Sequence, residues 1–280
     1  MIVTVVTPTL NASAYLDDCI ASVRSNRDVG FHIDHVVVDG GSADATLEIA
    51  ARNGVRCLTG KDAGIFDAIN RGSFDSRGDL LGFLGADDLM LPGALRCVVD
   101  AYRESRRRWV VGGIRWIDAA GADFGGLAAP PSWMSARTHV CLGWNPVMHM
   151  ATYLSRDLFR ELGGFDISFR DSGDYDMFAR ALRAAPFARI GRPLACFRHT
   201  GANNSATNGE RTAGENARVR AAYGPRSSFE GAARKATLKV WLNARNPDWV
   251  MGKLGRRLRA PPAVRAGSAG RASIAEEANR

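Results

Sequence analysis

The sequence predicts an α/β protein in which a mostly parallel central sheet is sandwiched by helices. Short apolar, β-branched runs alternate with segments whose apolar residues recur at helical spacing, and turns rich in glycine, proline and aspartate separate them. Of the 280 residues, 46% are hydrophobic and 24% are charged, which suits a folded chain with one substantial core. In sheets of this kind, ligands bind beyond the carboxyl ends of the strands.

The alternation is clearest in residues 1–114. Five runs are predicted to be strands: 2–6, 33–38, 55–58, 80–84 and 109–114. Four helices are predicted between them: one capped by Asn11 or Ser13, one capped by Asp44, one over 65–74, and one from Pro92 to Tyr102. Polar turns at 7–9, 39–42 and 87–88 follow their strands, so a ligand site is expected where these turns meet.

The patterns are weaker after residue 114. Residues 115–148, rich in Gly, Ala, Pro and Trp, predict loops and antiparallel strands at a sheet edge. Helices are predicted over 154–162 and 175–184, and a mobile polar segment over 200–216. The expected organisation is a main α/β domain over 1–228, a basic amphipathic helical extension over 229–260 and a disordered tail over 261–280.

The net charge of +8 is concentrated near the carboxyl end. Residues 232–271 contain ten basic residues and one acidic residue, so the remainder of the chain is nearly neutral. This segment predicts either a helix packed on the body with a solvated basic side, or a helix lying on an anionic membrane surface. Nucleic acid is not an expected partner, because no aromatic-basic groove or recognised module accompanies the charge.

The cysteines and the hydropathy pattern indicate a cytoplasmic protein. The five cysteines are scattered and form no CxxC pair, which argues against a disulfide framework or a zinc site. We find no secretory signal and no run of eighteen apolar residues. The expected location is therefore the cytoplasm, with the inner face of the cytoplasmic membrane as the alternative if the basic segment binds lipid.

Two adjacent carboxylates, Asp87 and Asp88, directly follow the fourth predicted strand and its extension 82–86. Neighbouring carboxylates at a strand end repel each other and lose hydration. A hard divalent cation such as Mg²⁺ or Mn²⁺ relieves that cost and bridges the oxygens to phosphates. Without its context, the pair fits equally well an N-cap for the helix that starts at Pro92.

The second predicted strand ends in an acid followed by two glycines, Asp39, Gly40 and Gly41. Glycine lets a flat ring approach the backbone, while the carboxylate accepts a hydrogen bond from a base or a ribose. The alternative is a plain strand-to-helix turn in which Ser42 or Asp44 caps the helix.

A third block, 61–72, puts Asp62 in a loop and Asp67, Asn70 and Arg71 on one side of a helix. An arginine in this position can bind a phosphate through two parallel hydrogen bonds. The alternative is an amphipathic helix with an Asp67–Arg71 ion pair.

A fourth block, 165–176, contains four carboxylates beside aromatic residues and before a predicted helix. A carboxylate there can take a proton from an acceptor hydroxyl. Asp174 and Asp176 also suit the first turn of a helix, and the two interpretations are compatible.

In this order, the blocks resemble the family 2 inverting glycosyltransferases, which have a GT-A fold. The resemblance runs from residue 3 to about 205 and is carried by the segments 7–11, 39–44, 62–72, 83–88 and 173–176. It extends to bacterial enzymes that build surface polysaccharides or glycolipids. The resemblance implies that residues 1–228 are a GT-A glycosyltransferase domain.

The resemblance also implies roles for individual residues. The implied donor-binding residues are Thr7, Pro8 and Thr9 around the nucleobase, Asp39 on the base, Asp62 and Arg71 by the nucleotide, and Asp87 on the ribose or sugar. Asp88 is implied to coordinate Mn²⁺ or Mg²⁺, and His199 lies where some members place a further metal ligand. Asp174 is implied to be the general base, with Asp171 and Asp176 as alternatives. His149, like Asp176, is assigned to the acceptor side.

Two positions depart from the family pattern: Gly85, where members often have Asn or Ser, and Gly173, where Glu or Ala is common. The reaction implied is metal-dependent, inverting transfer from a UDP-, GDP- or dTDP-linked sugar to a hydroxyl of a glycan or a lipid-linked acceptor. A nucleotidyltransferase is the alternative enzyme, but the first strand leads to 7–11 and not to a Gly-rich basic loop. A non-catalytic sugar-nucleotide or glycan-binding protein is the other alternative, and the presence of both Asp88 and Asp174 argues against it.

Overall fold

The computed structural model describes residues 1–201 and 208–247, so the predicted tail over 261–280 lies outside the described residues. The strands are β1 Ile2–Thr9, β2 His32–Asp39, β3 Arg56–Thr59, β4 Leu80–Phe83, β5 Leu89–Met90, β6 Trp109–Asp118, β7 Asp123–Leu127, β8 Thr152–Ser155 and β9 Ala188–His199. The helices are α1 Leu16–Arg24, α2 Thr46–Arg52, α3 Ile65–Asp75, α4 Ala94–Ser105, α5 Ala136–Val140, α6 Arg156–Glu161, α7 Gly173–Ala184, α8 Gly209–Tyr223 and α9 Ser228–Arg245. A 3₁₀ turn over His149–Ala151 precedes β8.

The strands form one sheet in the order β3-β2-β1-β4-β8-β6-β9-β5, and β7 pairs with β6 outside this path. The four strands β3, β2, β1 and β4 are parallel. β8 is antiparallel to both of its neighbours, β4 and β6, whereas β6 and β9 are parallel. The predicted α/β class with helices flanking the sheet is therefore confirmed, and the sheet is parallel in its amino-terminal half and mixed beyond it.

The register of the parallel strands places the predicted polar turns side by side. Thr9 is the partner of Asp39 across β1 and β2, and Asp39 is the partner of Thr59 across β2 and β3. On the other side of β1, Val6 pairs with Phe83, so the turn that follows β4 leaves the sheet at the same edge. This edge is where the carboxyl ends of parallel strands form a ligand site.

The core lies on both faces of the sheet. β1 and β4 are buried almost throughout, as expected for strands covered by helices on two sides. Trp109 at the start of β6 is fully buried, and its indole N–H donates to the Ala185 carbonyl at 2.8 Å. Burial of one such large side chain stabilises the fold by about 1.5–3 kcal/mol or more.

Several predicted features differ from those observed. Asn11 and Ser13 do not cap α1, whose N-cap is Tyr15. The Asn11 side-chain oxygen instead accepts the Ala43 N–H at 2.9 Å, in the turn after β2. The N-cap of α2 is Ala45 and not Asp44. The predicted helix over 154–162 begins at Arg156, because Ser155 ends β8 and its hydroxyl accepts the Leu158 N–H as an N-cap.

The prediction of a mobile segment over 200–216 is wrong from Gly209 onward, where α8 begins. α8 is rich in polar residues, and it buries some of them against the body. Glu215 and Asn216 are both buried beside Val219. A helix that turns polar side chains inward has little apolar periodicity, and the sequence pattern gave no helical signal for this reason.

The helical extension predicted from residue 229 corresponds to α9, and the part of it after Pro247 lies outside the described residues. Leu238 and Leu242 are fully buried against the body, so the apolar stripe predicted from these residues faces the core. Asn246 closes the helix: its Nδ2 donates to the Leu242 carbonyl at 2.7 Å, and its Oδ1 accepts the Ala128 N–H at 2.7 Å. Among the described helices, none is long and apolar enough to span a bilayer.

Candidate active site

The turn after β2 is built around the buried carboxylate of Asp39. This carboxylate accepts hydrogen bonds from the Ser42 hydroxyl at 2.5 Å, the Ser42 and Gly41 N–H groups at 2.9 Å each, and the Thr9 hydroxyl at 3.2 Å. Burial by itself raises the pKa of Asp39, but these four hydrogen bonds outweigh it and lower the pKa below its ordinary value. Asp39 thus forms the strand-to-helix turn, and its contact with a base stays a prediction.

Of the residues 7–9 in β1, Pro8 is the one that is partly exposed at the edge of the site. The Thr7 and Thr9 side chains are buried, and the Thr7 hydroxyl lies 2.9 Å from His35 Nε2. Burial lowers the pKa of His35 to about 4, so this ring is neutral beneath the site at neutral pH. Pro8 is half-buried between the two threonines. The predicted contact of all three residues with a nucleobase is not tested by this geometry.

Asp62 approaches the Asp39 turn because Gly40 has no side chain. Asp62 Oδ2 lies only 2.6 Å from the position that a Cβ on Gly40 would occupy. Its other oxygen, Oδ1, accepts the Gly64 N–H at 2.9 Å. Asp62 therefore lies against the turn that Asp39 forms, so these two predicted segments meet at one edge of the sheet.

Arg71 reaches back from α3 to the end of β3. Its guanidinium donates to the Gly60 carbonyl at 2.9 Å and to the Thr59 carbonyl at 3.0 Å. Asp67, the alternative partner of Arg71, accepts the Ala63 N–H at 2.9 Å. Arg71 therefore holds the loop that carries Asp62, and its contact with a phosphate stays a prediction.

The turn after β4 brings Asp87 and Asp88 over Gly85. A Cβ on Gly85 would lie 2.8 Å from Asp88 Oδ2 and 2.9 Å from Asp87 Oδ1, so both carboxylates occupy the space that a side chain would take. The family often has Asn or Ser where this chain has Gly85, and a side chain at this position would collide with both carboxylates. Neither side chain caps α4, whose N-cap is Gly93. The N-cap alternative for this pair is therefore wrong.

Both carboxylates titrate above their ordinary range. Burial raises the pKa of Asp87. Burial and the neighbouring charge of Asp87 raise the pKa of Asp88 to about 7, although the Arg198 N–H and the charge of His149 oppose the shift. This is the signature of two desolvated like charges, a cost that a bound cation would offset.

Arg198, at the end of β9, holds the Asp87–Asp88 turn from the opposite strand. Its N–H donates to Asp88 Oδ1 at 3.0 Å, and its guanidinium donates to the Asp87 carbonyl at 2.8 Å and to the Ala119 carbonyl at 3.1 Å. Arg198 was not among the predicted site residues, because β9 was not predicted as a strand. The continuous apolar run over 194–197 was the signal that could have revealed this strand.

His149 connects the Asp87–Asp88 turn to Asp174. His149 Nδ1 lies 3.6 Å from Asp174 Oδ2. Burial by itself lowers the pKa of His149, but Asp174, Asp88 and Asp87 together raise it above its ordinary value. Asp174 lies in the first turn of α7, and its Oδ1 is 2.7 Å from the Tyr175 N–H. Carboxylates from two of the predicted motifs therefore act on one imidazole.

The loop that delivers Asp174 is held by α8 through a second buried carboxylate. Glu215 accepts the N–H groups of Arg170, Asp171 and Ser172 at 2.8, 2.9 and 2.8 Å. These donors precede α7 and have no partner within that helix. Glu215 was not recognised in the sequence, because nothing near it in the chain marks it as the cap of a distant helix.

Asp171 and Asp176, the alternatives to Asp174, have structural partners. Asp171 forms a two-pronged ion pair with Arg211 at 2.6 and 3.0 Å. Asp176 accepts from Arg180 at 2.7 Å and from the Tyr223 hydroxyl at 3.2 Å. Because residues two apart project from different sides of a helix, Asp176 does not share the side of α7 that carries Asp174. The acceptor-side role expected for Asp176 finds no support in these contacts.

His199 lies among aromatic rings at the end of β9. Its ring centre is 4.9 Å from that of Phe197, 5.3 Å from that of Phe124 and 6.5 Å from that of Trp116. Burial lowers the pKa of His199. Within residues 1–201 and 208–247, no three His, Cys, Asp or Glu side chains cluster so as to hold a metal. The assignment of His199 as a metal ligand stays a prediction.

The fold is an α/β fold of the GT-A type, with a group of carboxylates at the edge where its parallel strands end. The sequence model of the family "Glycosyl transferase family 2" matches residues 4–163, more than half of the chain. The chain therefore belongs to glycosyltransferase family 2.

Two of the relatives by sequence are mycobacterial proteins. A "PGL/p-HBAD biosynthesis glycosyltransferase" of Mycobacterium bovis is 32% identical over 183 residues, covering 63% of this chain and 68% of that protein. An uncharacterized glycosyltransferase of Mycobacterium tuberculosis is 30% identical over 183 residues, covering 64% of this chain and 68% of that protein.

Two solved structures share the fold at low sequence identity. S. aureus TarS 1–349 in complex with UDP-GlcNAc has a TM-score of 0.64 at 17% identity, over 87% of this chain and 72% of that chain. The mannosyltransferase PcManGT from Pyrobaculum calidifontis, in complex with GDP-Man and Mn²⁺, has a TM-score of 0.51 at 16% identity, over 91% of this chain and 84% of that chain. These two similarities concern the fold.

Proposed function

We propose that this glycosyltransferase moves a sugar from a nucleotide-diphosphate donor to an acceptor hydroxyl with inversion at the anomeric carbon. One observation carries the proposal: His149 Nδ1 lies 3.6 Å from Asp174 Oδ2, and the charges of Asp87 and Asp88 act on the same imidazole. A single displacement requires a base close to the donor site.

The donor is proposed to lie along the carboxyl ends of the parallel strands. The base would lie near Pro8 and the Asp39 turn, and the ribose and sugar near Asp62 and Asp87. The four hydrogen bonds on Asp39 support this use of the turn in one respect, because they fix its backbone before a ligand arrives. Arg71 would hold the loop that carries Asp62. Its guanidinium is also proposed to contact a phosphate of the donor directly.

The Asp87–Asp88 pair suits a hard divalent cation, Mn²⁺ or Mg²⁺. Two carboxylate oxygens lie over Gly85, and burial gives both groups a raised pKa that a cation would reverse. Asp88 is proposed as the ligand, Asp87 as its neighbour on the sugar or ribose, and His199 as a candidate further ligand. When bound, the ion would offset the negative charge that grows on the leaving diphosphate.

Asp174 is proposed to accept the proton of the attacking hydroxyl. Its Oδ2 faces His149, whose charge state depends on the same three carboxylates. Attack from the side opposite the diphosphate inverts the anomeric centre, so the base and the leaving group must lie on opposite sides of the sugar. His149 belongs to the acceptor side in this scheme.

The substrates are proposed by class. Candidate donors are UDP-, GDP- and dTDP-linked sugars, and candidate acceptors are glycans and lipid-linked glycans. The names of the mycobacterial relatives, which refer to PGL/p-HBAD biosynthesis, favour a glycolipid acceptor. A location on the cytoplasmic side, with residues 232–271 close to an anionic membrane, agrees with a lipid-linked acceptor.

The base assignment is tested with Asp174→Asn, in which a carboxylate becomes an amide of the same size. Thermal-shift measurements with a panel of nucleotide sugars and Mn²⁺ identify the donor, and release of the nucleotide in the presence of candidate acceptors measures transfer. We expect transfer to fall about 10²–10⁴-fold while the donor-induced thermal shift is retained, since a positioned base contributes that much to rate.

Asp157→Asn, an exposed change on α6, is the control and should behave as the parent protein. Undiminished transfer by Asp174→Asn would remove Asp174 from the mechanism. Absence of any thermal shift with all nucleotide sugars would argue against the donor class.

A further inference from the structure

The carboxyl-terminal helix α9 has two apolar faces, and only one of them is used by the body. Leu238 and Leu242 face inward and are fully buried. The opposite side, which we call the outer face, consists of eight exposed residues: Phe229, Ala232, Ala233, Ala236, Thr237, Val240, Asn243 and Ala244. Their spacing of three and four residues places them on one stripe of the helix.

The outer face is unusual because it is apolar and uncharged. Phe229 is 84% exposed and Val240 is 69% exposed, and four alanines lie between or beside them. The Thr237 hydroxyl donates to the Ala233 carbonyl at 3.0 Å, so this residue shows mainly its methyl group to solvent. An exposed apolar side chain by itself needs no explanation. Here Phe229 and Val240 share one uncharged and mostly apolar side of a helix, so the charges beside that side decide which partner it suits.

The border of the outer face is basic. Lys235 and Lys239, one turn apart, run along one side of it. Glu230 is the acidic residue of the segment 226–247, which contains five basic residues, and its carboxylate is neutralised by Arg234 at 2.8 Å. An apolar stripe with a lysine border matches a helix that lies in an anionic membrane surface, with apolar side chains among the acyl chains and ammonium groups among the phosphates.

The size of the outer face argues against a second copy of the chain as the occupant. From Phe229 to Ala244 the helix is about 22 Å long, at 1.5 Å per residue. A face about 10 Å wide then covers roughly 200 Å², a quarter of the roughly 800 Å² per partner that a stable protein interface buries. A bilayer has no such threshold, because apolar insertion and each nearby basic residue contribute separately.

We propose that the outer face of α9 docks onto an anionic lipid surface, with Phe229 and Val240 inserted and Lys235 and Lys239 near lipid phosphates. Leu238 and Leu242 are buried against the body, so the contact would be made by the opposite side of the same helix. The contact would hold the catalytic edge near a lipid-linked acceptor. That consequence rests on the proposed function, whereas the docking itself does not.

The test is sedimentation of the full chain with sucrose-loaded vesicles. We expect strong binding to vesicles of equal parts phosphatidylglycerol and phosphatidylcholine, and little binding to phosphatidylcholine alone. Phe229→Ser combined with Val240→Ser should weaken binding to the anionic vesicles about tenfold or more, because both side chains lose apolar burial. Lys235→Gln combined with Lys239→Gln should weaken it about 25-fold, at about 1 kcal/mol per basic residue.

Matched controls lie on other surfaces. Val29→Ser alters another fully exposed valine, and Arg27→Gln combined with Arg77→Gln removes the same amount of charge elsewhere. Both should bind as the parent chain does. All variants alter exposed or half-buried side chains, so thermal unfolding should be unchanged, and a retained donor-induced thermal shift separates loss of docking from loss of the donor site.

Three outcomes would overturn the proposal. The first is failure of the parent chain to bind anionic vesicles, and the second is binding of the outer-face serine variant as tight as that of the parent. In a third outcome, analytical ultracentrifugation would show a self-associated chain that the same serine variant dissociates, which would make the face a protein interface.

Discussion

At the scale of single residues, the site is organised around positions where a side chain is missing. Gly40 admits Asp62 to the Asp39 turn, and Gly85 admits the carboxylates of Asp87 and Asp88. A Cβ at either glycine would lie within 3 Å of a carboxylate oxygen, closer than real contacts allow. The close approach of these carboxylates concentrates negative charge, and the electrostatic cost of that charge is seen in the raised pKa of Asp88.

Asp88 predicts a pH dependence of stability in the metal-free protein. The folded state keeps a proton on Asp88 up to about pH 7, whereas the unfolded chain releases it near the ordinary value of 3.8. The folded state therefore binds more protons between these values, and the contribution of Asp88 to the free energy of unfolding falls as pH rises through this window. We expect Asp88→Asn to gain stability relative to the parent chain from about pH 4 to about pH 7.

Urea unfolding in the presence of a chelator, at about pH 5 and about pH 8, measures this difference. Addition of Mn²⁺ at the higher pH should restore the parent chain and leave Asp88→Asn unchanged, since only the ionised carboxylate binds the ion. Parallel stability curves for the two proteins across the pH range would show that Asp88 is ionised throughout.

At the scale of elements, α8 acts as a clamp on the segment that carries the proposed base. Glu215 binds three N–H groups before α7, and Arg211 pairs with Asp171. Arg218 lies over the Phe169 ring at 4.3 Å. These contacts fix the start of α7, and with it Asp174, from outside the sheet. The position of the proposed base thus depends on contacts with α8.

Glu215→Gln tests the clamp. The amide oxygen can keep two of the three hydrogen bonds, but the amide NH₂ would meet the Arg170 N–H donor-to-donor. We expect a loss of about 1–3 kcal/mol in stability and a fall of about tenfold or more in kcat, with the KM for the donor nearly unchanged. Urea unfolding and initial rates at varied donor concentration measure these quantities.

Glu210→Gln, an exposed change in the first turn of the same helix, is the matched control. An equal rise in donor KM and fall in kcat for Glu215→Gln would indicate general loosening of the fold and not displacement of Asp174.

At the scale of the whole molecule, the carboxyl-terminal helix is part of the core. Leu238 and Leu242 join the main cluster of buried residues. Arg189 and Arg245 lie over the Trp241 ring, and Arg234 donates to Thr138. Residues up to Asn246 therefore pack on the body, and the domain boundary at residue 228 stays a prediction. The basic residues remain at the surface, so packing on the body and contact with a charged partner are compatible.

Leu238→Ala tests this packing. Removal of a fully buried leucine side chain costs about 2–5 kcal/mol, depending on how far the cavity collapses. Val240→Ala, two residues on and exposed, should change the free energy of unfolding by less than about 0.5 kcal/mol. Urea unfolding compares the two, and an equally small effect at Leu238 would mean that α9 separates readily from the body.

The parallel half of the sheet and the polar turns at its edge could be predicted from residue types. Short apolar runs, β-branched in β1 and β2, located β1 to β4 within a few residues, and the aspartates after them could only lie at the carboxyl ends of those strands. The helix that carries Asp174 was also predicted, because apolar positions on α7 recur at helical spacing. These features depend on neighbours in the chain, which is why a pattern of residue types is sufficient to predict them.

Which of these residues come together, and which partners hold them there, could be seen only in the tertiary structure. The Arg198 N–H reaches Asp88 across 110 residues of sequence, and Glu215 reaches Ser172 across 43. The tertiary structure also decided which carboxylates near Asp174 are ion-paired and which side of α9 faces the core. Such contacts leave no local period, because burial of a polar side chain is fixed by a distant partner and not by its neighbours in the chain.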